Sequence, residues 1–196
     1  MAELSAELII EILTPWHLGS GREGGAYADS LVSRDHSGLP LVNGKSIKGL
    51  LRAACTESMQ LQWLEQLTQA DLDKLFGKEG TDLASQGALE VSSATLSEGE
   101  QAYFAQHPQA VKLLYRIDYN TAIDHATGAA ADGSLRSMEA VVPMTLTAKL
   151  RIHAEAKESE LFLNWLKLSL PLITAVGGKR RRGYGEAVFS LNRETK

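Results

Sequence analysis

Between Leu4 and Ile12 the chain alternates without a break. Leu4, Ala6, Leu8, Ile10 and Ile12 fall on one side of an extended backbone, and Ser5, Glu7, Ile9 and Glu11 on the other. Side chains in a strand repeat every two residues, so this pattern buries one face and wets the other. Met144, Leu146, Ala148, Leu150 and Ile152 repeat it against Thr145, Thr147, Lys149, Arg151 and His153. Two long half-buried strands are therefore expected near the two ends of the chain, and any fold must bring a helical layer to their apolar faces.

Helical spacing supplies that layer. Ile47, Leu50, Leu51 and Ala54 predict a helix that opens near Ser46 and runs through Met59, with an extension towards Gln69. Asp71 to Phe76 is acidic and tolerant of helix, and Gly77 and Gly80 break the chain. Leu161, Trp165, Leu168 and Leu172 predict a second helix over Glu158 to Val176, kinked at Pro171. Shorter strands are expected over Ala88 to Leu96, Arg116 to Ala122 and Glu186 to Leu191, whereas Glu98 to Lys112 reads as a loop with room for a short helix. Asp124 to Ser137 is rich in small turn-forming residues and reads as a mobile protruding connection. The order strand, helix, strands, helix, strand is that of an α+β domain of ferredoxin-like or RNA-recognition-like type. At 196 residues one domain spanning the whole chain is the default.

Composition bounds the setting. No apolar run approaches the roughly 20 residues that a membrane span needs, and the acidic N-terminus does not read as a signal peptide. The single cysteine, Cys55, excludes a disulfide framework within the chain and suits a reducing compartment, so a cytoplasmic protein without membrane contact is expected. A net charge of −4 argues against a generic nucleic-acid binder, but the charge is segregated. Asn43 to Thr56 carries three cations and no acid, Glu57 to Glu100 has a balance of −7, and Glu158 to Lys196 a balance of +3. Segregation of that kind permits a basic groove on an acidic body.

Two nucleotide motifs fail on inspection. Gly19-x-Gly21-x-x-Gly24 has the dinucleotide spacing, but no helical period follows it. Gly44-Lys45-Ser46 resembles the end of a P-loop, yet position 39 is leucine where that motif needs glycine. A different reading fits the second segment. Lys45, Lys48 and Arg52 share the helical face opposite the apolar one, beside a helix N-terminus that favours anions, which reads as an anion-binding platform. Near the other end of the chain, Lys179, Arg180, Arg181 and Arg182 lie between glycines, where backbone N–H groups can form an anion nest. The five histidines share no ligand spacing, and no zinc signature exists. His17 reads as a packed loop residue, and Trp16 and Tyr27 as loop anchors with the alternative of stacking on bases.

Three runs carry a resemblance: TPWHLGSG after the first strand, DSLVSRDHSGLPLVNGKSIKGLLRAA, and AVGGKRRRGYGEAVF. The chain resembles the repeat-associated mysterious protein (RAMP) superfamily, in particular the repeated backbone subunit of type III CRISPR effector complexes. The family's "G-x-P-x-x-x-G-x-S-x-K-G-x-x-R" run corresponds here to Gly38, Pro40, Gly44, Ser46, Lys48, Gly49 and Arg52. The resemblance implies a subunit that polymerises along a guide RNA beside other RAMP subunits and the large signature subunit, and acts on target RNA. It implies guide-backbone contacts by Ser46, Lys48 and Arg52 with Lys45 beside them. A second contacting loop is implied at Gly177, Gly178 and Lys179, continuing into Arg180 and Arg181. A thumb-like insertion at about 118–142, with Arg136 and Met138, is implied to wedge into the guide–target duplex. Catalytic members carry an aspartate ahead of the "G-x-P" turn. Asp29 matches it, implying target cleavage at Asp29 with a divalent ion, Mg²⁺ or Mn²⁺, which Asp29 would also ligate. Asp35 competes, but Asp-His-Ser-Gly reads as a turn whose acid bonds its own backbone. Alternatives are a non-catalytic structural subunit, a metal-independent guide-processing endoribonuclease using histidine, and, more distantly, a nucleotide-binding enzyme using the glycine loops.

Overall fold

The computed structural model describes residues 2–25, 27–64, 66–78 and 86–193, so the expected break at Gly80 lies outside the described residues. The first alternating segment is strand β1 (Ala2–Ile12), and the second is β5 (Met144–Ala154). They pair antiparallel over their full length, from Ala2 opposite Ala154 to Ile12 opposite Met144. β1 pairs on its other side with β6 (Ala187–Arg193), and the short β2 (Leu89–Val91) pairs with β5. The sheet order is thus β2-β5-β1-β6, every pair antiparallel. With α1 (Gly44–Gln60) after β1 and α4 (Ala156–Ser169) after β5, this is the βαββαβ arrangement expected of a ferredoxin-like domain. The additional elements fall between the core ones. α2 (Gln69–Phe76) precedes β2, and α3 (Glu98–Gln106) with a 3-10 helix (Pro108–Leu114) follows it. The hairpin β3 (Tyr115–Asn120) and β4 (Arg136–Val141) comes next.

The core lies between the apolar sheet face and α1 with α4. Leu8, Ile10, Leu146 and Leu150 are fully buried, as are Ile47 and Leu51 of α1 and Phe162 and Leu166 of α4. Where the two helices meet, Ser58 Oγ donates to Ser169 Oγ at 2.9 Å, which satisfies two buried hydroxyls at once. Cys55 is buried beside them, and desolvation pushes its thiol up to about 11, so it is an inert core residue. The opposite sheet face (Glu3, Ser5, Glu7, Ile9 and Glu11 on β1, Lys149, Arg151 and His153 on β5, Val188, Ser190 and Asn192 on β6) carries no Phe, Tyr or Trp among these residues, its ring being the His153 imidazole. Single-strand readers of the RNA-recognition type stack bases on sheet-face aromatics. The topology is shared with such domains, while the named residues of this face include no Phe, Tyr or Trp.

Element boundaries differ from the periodicity in instructive ways. α1 begins at Gly44 and stops at Gln60, and Gln62 adopts a positive φ of 57°, so the extension to Gln69 does not form. α2 and α3 are both proper helices opened by capping boxes, Thr68 with Asp71 and Ser97 with Glu100. α4 ends at Ser169, and Pro171 lies in the 3-10 turn that follows rather than in a kinked helix. The expected strand over Ala88 to Leu96 is regular only over Leu89–Val91, after which isolated bridges at Ala94 and Thr95 continue it.

One carboxylate ties the hairpin to the rest. Glu139 of β4 is fully buried, its side chain paired with Arg34 and accepting from Val32 N at 3.1 Å. Arg34 stacks on the Tyr115 ring, 3.7 Å from Cζ to centroid. Tyr115 in turn donates to Gly38 O at 2.5 Å. Removing one partner of such a pair leaves a buried charge uncompensated. Arg34→Ala should therefore lower unfolding stability by about 3–5 kcal/mol, read as a shifted urea midpoint. Lys78→Ala, which breaks an exposed pair with Asp73, should cost no more than about 1 kcal/mol.

Candidate nucleic-acid interface

The loop after β1 and the loop before β6 are stitched together at backbone level. Gly178 N donates to His17 O at 2.7 Å and Gly185 N to Pro15 O at 2.9 Å. Gly177 has φ 77°, and a Cβ there would lie 2.3 Å from His17 O, so only glycine permits the approach. Tyr184 reaches across to β3, donating to Asp118 Oδ2 at 2.7 Å, while Arg116 pairs with Asp118 Oδ1 at 2.8 Å. His17 is 7% exposed and lies under this junction. Its Nδ1 is 2.7 Å from Glu139 O, which can only accept, so Nδ1 carries the proton in the neutral ring. Nε2 is then left to accept from Ser30 Oγ at 3.1 Å. Both ring nitrogens are engaged inside the protein, in agreement with a packed loop histidine.

Asp29 is fastened to the first turn of β4. Its Oδ2 accepts from Ser137 N at 2.7 Å and Ser137 Oγ at 3.2 Å, and its own N–H donates to Ser137 O and Oγ, each at 3.1 Å. The backbone bond from Ser137, then its hydroxyl and the nearby Arg136 charge, hold the Asp29 carboxyl below its usual range. Asp29, Arg136, Met138, Lys179 and Arg182 line one cleft of about 440 Å³, with His17 and Ser30 in its wall. Residues more than a hundred positions apart thus meet. Arg182, absent from the expected site, faces this cleft, whereas Arg180 and Arg181 lie outside it. Met138 is 6% exposed, so it sits at the packed base of the hairpin rather than on a projecting tip. The exposed apolar residues of the hairpin are Tyr119, Ile123 and Leu135. Asp35 takes the expected turn role, its Oδ1 accepting from Ser37 N at 2.8 Å and Leu39 N at 2.9 Å.

The α1 platform forms a second, separate cleft of about 710 Å³, lined by Lys45, Lys48 and Arg52 with Gly77, Lys78, Leu89 and Glu90. Gly44 lets α1 start against β2, where a Cβ would lie 2.3 Å from Val91 O. Asn43 makes no side-chain cap and the first turn holds no acid, so the positive helix end is left for another anion. Ser46 is half-buried in that first turn. Two of the three cations on this face are also engaged within the chain. Lys48 donates to Leu89 O at 2.7 Å, and burial lowers its pKa. Arg52 donates to Gly77 O at 3.1 Å and approaches Asp73 at 3.5 Å. Lys45 alone of the three is fully exposed. Gly49, between them on the same face, has ordinary helical φ and open space where a Cβ would go, so nothing within the chain requires a glycine there. Lys48 and Lys179 do not share a cleft.

Among the described residues no cluster of three or more histidine, cysteine or acidic side chains exists, and no helix is long and apolar enough to cross a membrane. Asp29 by itself therefore does not build a metal cage. A hydrated hard ion held there would draw one ligand from Asp29 and would need the others from water or a phosphate-bearing partner.

This fold is the fold of subunits in solved type III-B assemblies. A chain in the cryo-EM structure of the Type III-B Cmr-beta bound to cognate target RNA superposes with a TM-score of 0.72 at 14% identity, covering 95% of this chain and 96% of that one. A chain of the apo Cmr-beta structure gives a TM-score of 0.69 at 14% identity, covering 96% and 97%. The chain belongs to the RAMP superfamily, which it matches over residues 9–188. Two curated relatives are the CRISPR system Cmr endoribonuclease Cmr4 of Pyrococcus furiosus, 35% identical over 65 residues, and the CRISPR system Cms endoribonuclease Csm3 of Enterococcus italicus, 32% identical over 101 residues. The first match covers 33% of this chain and 20% of Cmr4, the second 48% of this chain and 47% of Csm3.

The Ser137 clamp has a direct readout. The carboxyl carbon of Asp29, followed by NMR, should titrate below the usual aspartate value. In Ser137→Ala, which keeps the backbone donor and loses the hydroxyl, it should move back up. Since the folded-state pKa is depressed, any stabilisation from this carboxylate is present above the unfolded aspartate value and lost as pH falls through the folded one. An unchanged titration in the variant would show the hydroxyl to be idle. Gly49→Ala, in turn, should stabilise the free chain by about 0.5–1 kcal/mol.

Proposed function

We propose that this chain is a guide-RNA-binding backbone subunit of a type III CRISPR effector complex, cutting target RNA at Asp29. The observation that carries the reading is the Asp29 cleft, where a carboxylate bonded by Ser137 lines the same space as Lys179, Arg182 and Arg136. A carboxylate beside three cations is arranged for a phosphodiester. The cations draw in the phosphate, and the acid faces whatever is attached to it. The endoribonuclease names of the two curated relatives, and the Cmr-beta neighbour bound to target RNA, support the same reading.

In this reading the α1 cleft holds the guide backbone, with Lys45, the α1 N-terminus and the remaining donors of Lys48 and Arg52 on successive phosphates, and Gly49 as the place where a strand lies close to the helix. The loop Gly177 to Lys179 continues the track, and Arg180 and Arg181 remain exposed for guide or neighbour. Target RNA enters at the β3–β4 hairpin. Its residues Arg136 and Ser137 lead into the Asp29 cleft, so the hairpin that distorts the duplex also carries the clamp on the acid. Cleavage by attack of a ribose 2′-hydroxyl needs that oxygen in line with phosphorus, and a local kink supplies the alignment. Asp29 serves there as proton acceptor, or as the single protein ligand of Mg²⁺ or Mn²⁺; such an ion would neutralise charge on the scissile phosphate. The partners in this reading are guide RNA, target RNA, further RAMP subunits and the large signature subunit.

The histidine-based processing reading is less well supported. His17 has both nitrogens engaged, His107 stacks on Tyr103, His153 pairs with Glu90, and no two histidines share a described cleft. The decisive experiment reconstitutes the complex with Asp29→Ala. Guide and target binding should persist, with cleavage falling by at least about a hundredfold, the lower bound for a positioned acid–base group. Wild-type cutting should stop in EDTA and return with Mg²⁺. Undiminished cleavage by the variant would refute the role of Asp29, and a wild-type complex that binds target without cutting would establish the purely structural subunit.

A further inference from the structure

A third cleft, of about 610 Å³, is lined by Arg22, Tyr27, Leu31, Arg34 and Asn43 among others. In the chain, Asn43 precedes Gly44 of the α1 cleft and Leu31 follows Ser30 of the Asp29 cleft. Two side chains in its wall differ from ordinary surface residues. Tyr27 is 54% exposed, and partial burial and the nearby Glu139 carboxylate raise the pKa of its hydroxyl. Arg34 pairs with the same carboxylate and stacks on Tyr115, while 37% of its side chain stays open to the cleft. The buried acid thus holds a guanidinium plane in place beside the same space as an exposed aromatic ring. Both are surfaces on which nucleobases stack, and ordering the guanidinium beforehand lowers the entropy lost on binding. Packing accounts for Arg34, whose loss would strand Glu139. It does not account for a tyrosine that leaves most of its ring in water. Arg22 lines the same cleft and is exposed, with no ion pair among the described residues.

We propose that this cleft binds an unstacked nucleobase of a single-stranded RNA against Tyr27 and Arg34, with Arg22 meeting the adjoining phosphate. The inference rests on the RNA-binding reading above and deepens it by naming a position for a base apart from the two cationic clefts. It assigns Tyr27 a recognition of bases in general, because stacking is available to every base.

The test uses the full chain and two fluorescein-labelled probes of about 12 nucleotides, within the span of single-strand sites. One is an oligoadenylate, the other the same ribose–phosphate chain without bases. Tyr27→Ala should weaken oligoadenylate binding by about five- to a hundredfold, leave the abasic probe unaffected, and keep the salt dependence of binding unchanged because no charge is lost. Tyr27→Phe, which retains the ring, should stay near wild type. Arg22→Ala should weaken both probes and lower the log–log salt slope by about 0.7. Equal loss on both probes in Tyr27→Ala, or no loss on either, overturns the base site while leaving RNA binding intact. An unchanged salt slope in Arg22→Ala overturns the phosphate contact. A wild-type chain that binds neither probe refutes the RNA-binding reading itself, and this site with it.

Discussion

The Glu139 carboxylate is the constraint on which the functional half of the molecule depends. An acid taken wholly out of water costs several kcal/mol unless its oxygens find donors, and here they come from one segment of chain. Val32 N–H meets one oxygen and the Arg34 guanidinium the other. The backbone of the same residue binds Ser30 through its N–H and His17 through its carbonyl. A single β4 position therefore fixes both strands of the loop that follows β1. Asp29 is carried into register with Ser137 as a consequence, since Ser137 lies two residues before Glu139 and Asp29 three residues before Val32. The acid of the candidate site is placed by a different, buried acid that never reaches solvent.

That dependence explains which parts were legible in the sequence. β1 and β5 are strictly alternating because each has one wet face, and period-two patterning survives any tertiary context. Asp35 was readable because its bonds are to its own turn. Thr68-x-x-Asp71 and Ser97-x-x-Glu100 are capping signals that could have been read as helix starts; polarity and Pro108 led to a loop assignment for the second. Glu139 left a fainter signal, one acid in the apolar run Met138 to Val142. A charge in a strand that is otherwise buried needs a partner, but nothing local names Arg34, which lies 105 positions earlier. Asp29 with Ser137, separated by 108 positions, is equally invisible to periodicity. It was reached through a motif resemblance and not through geometry.

The open sheet face shows how the scaffold and the interface have been separated. It carries Glu3, Glu7, Glu11 and Glu90 against Lys149 and Arg151, and its ring, His153, is paired with Glu90. A phosphate backbone lying there would meet more acids than cations. The clefts with cationic walls are instead formed by loops, by one helix N-terminus and by the hairpin inserted between β2 and β5. Loops suit this role because their backbone donors are not already consumed by a ladder, whereas strands in mid-sheet have none to give.

The structural use of Lys48 and Arg52 does not remove them from that interface. An ammonium has three donors and a guanidinium five. Lys48 gives one to Leu89 O, and Arg52 reaches Gly77 O and Asp73. The bonds already made hold the long side chains against β2 and the end of α2, in rotamers that would otherwise have to be frozen when a phosphate arrives. A carbonyl anchor leaves the full positive charge in place, unlike an ion pair with a carboxylate. The lowered pKa of Lys48 indicates that its ammonium is partly desolvated, and a partly desolvated cation attracts an arriving phosphate more strongly than a fully hydrated one. Anchoring to backbone oxygen leaves the charge of Lys48 in place, and Lys45 is the exposed cation of the three.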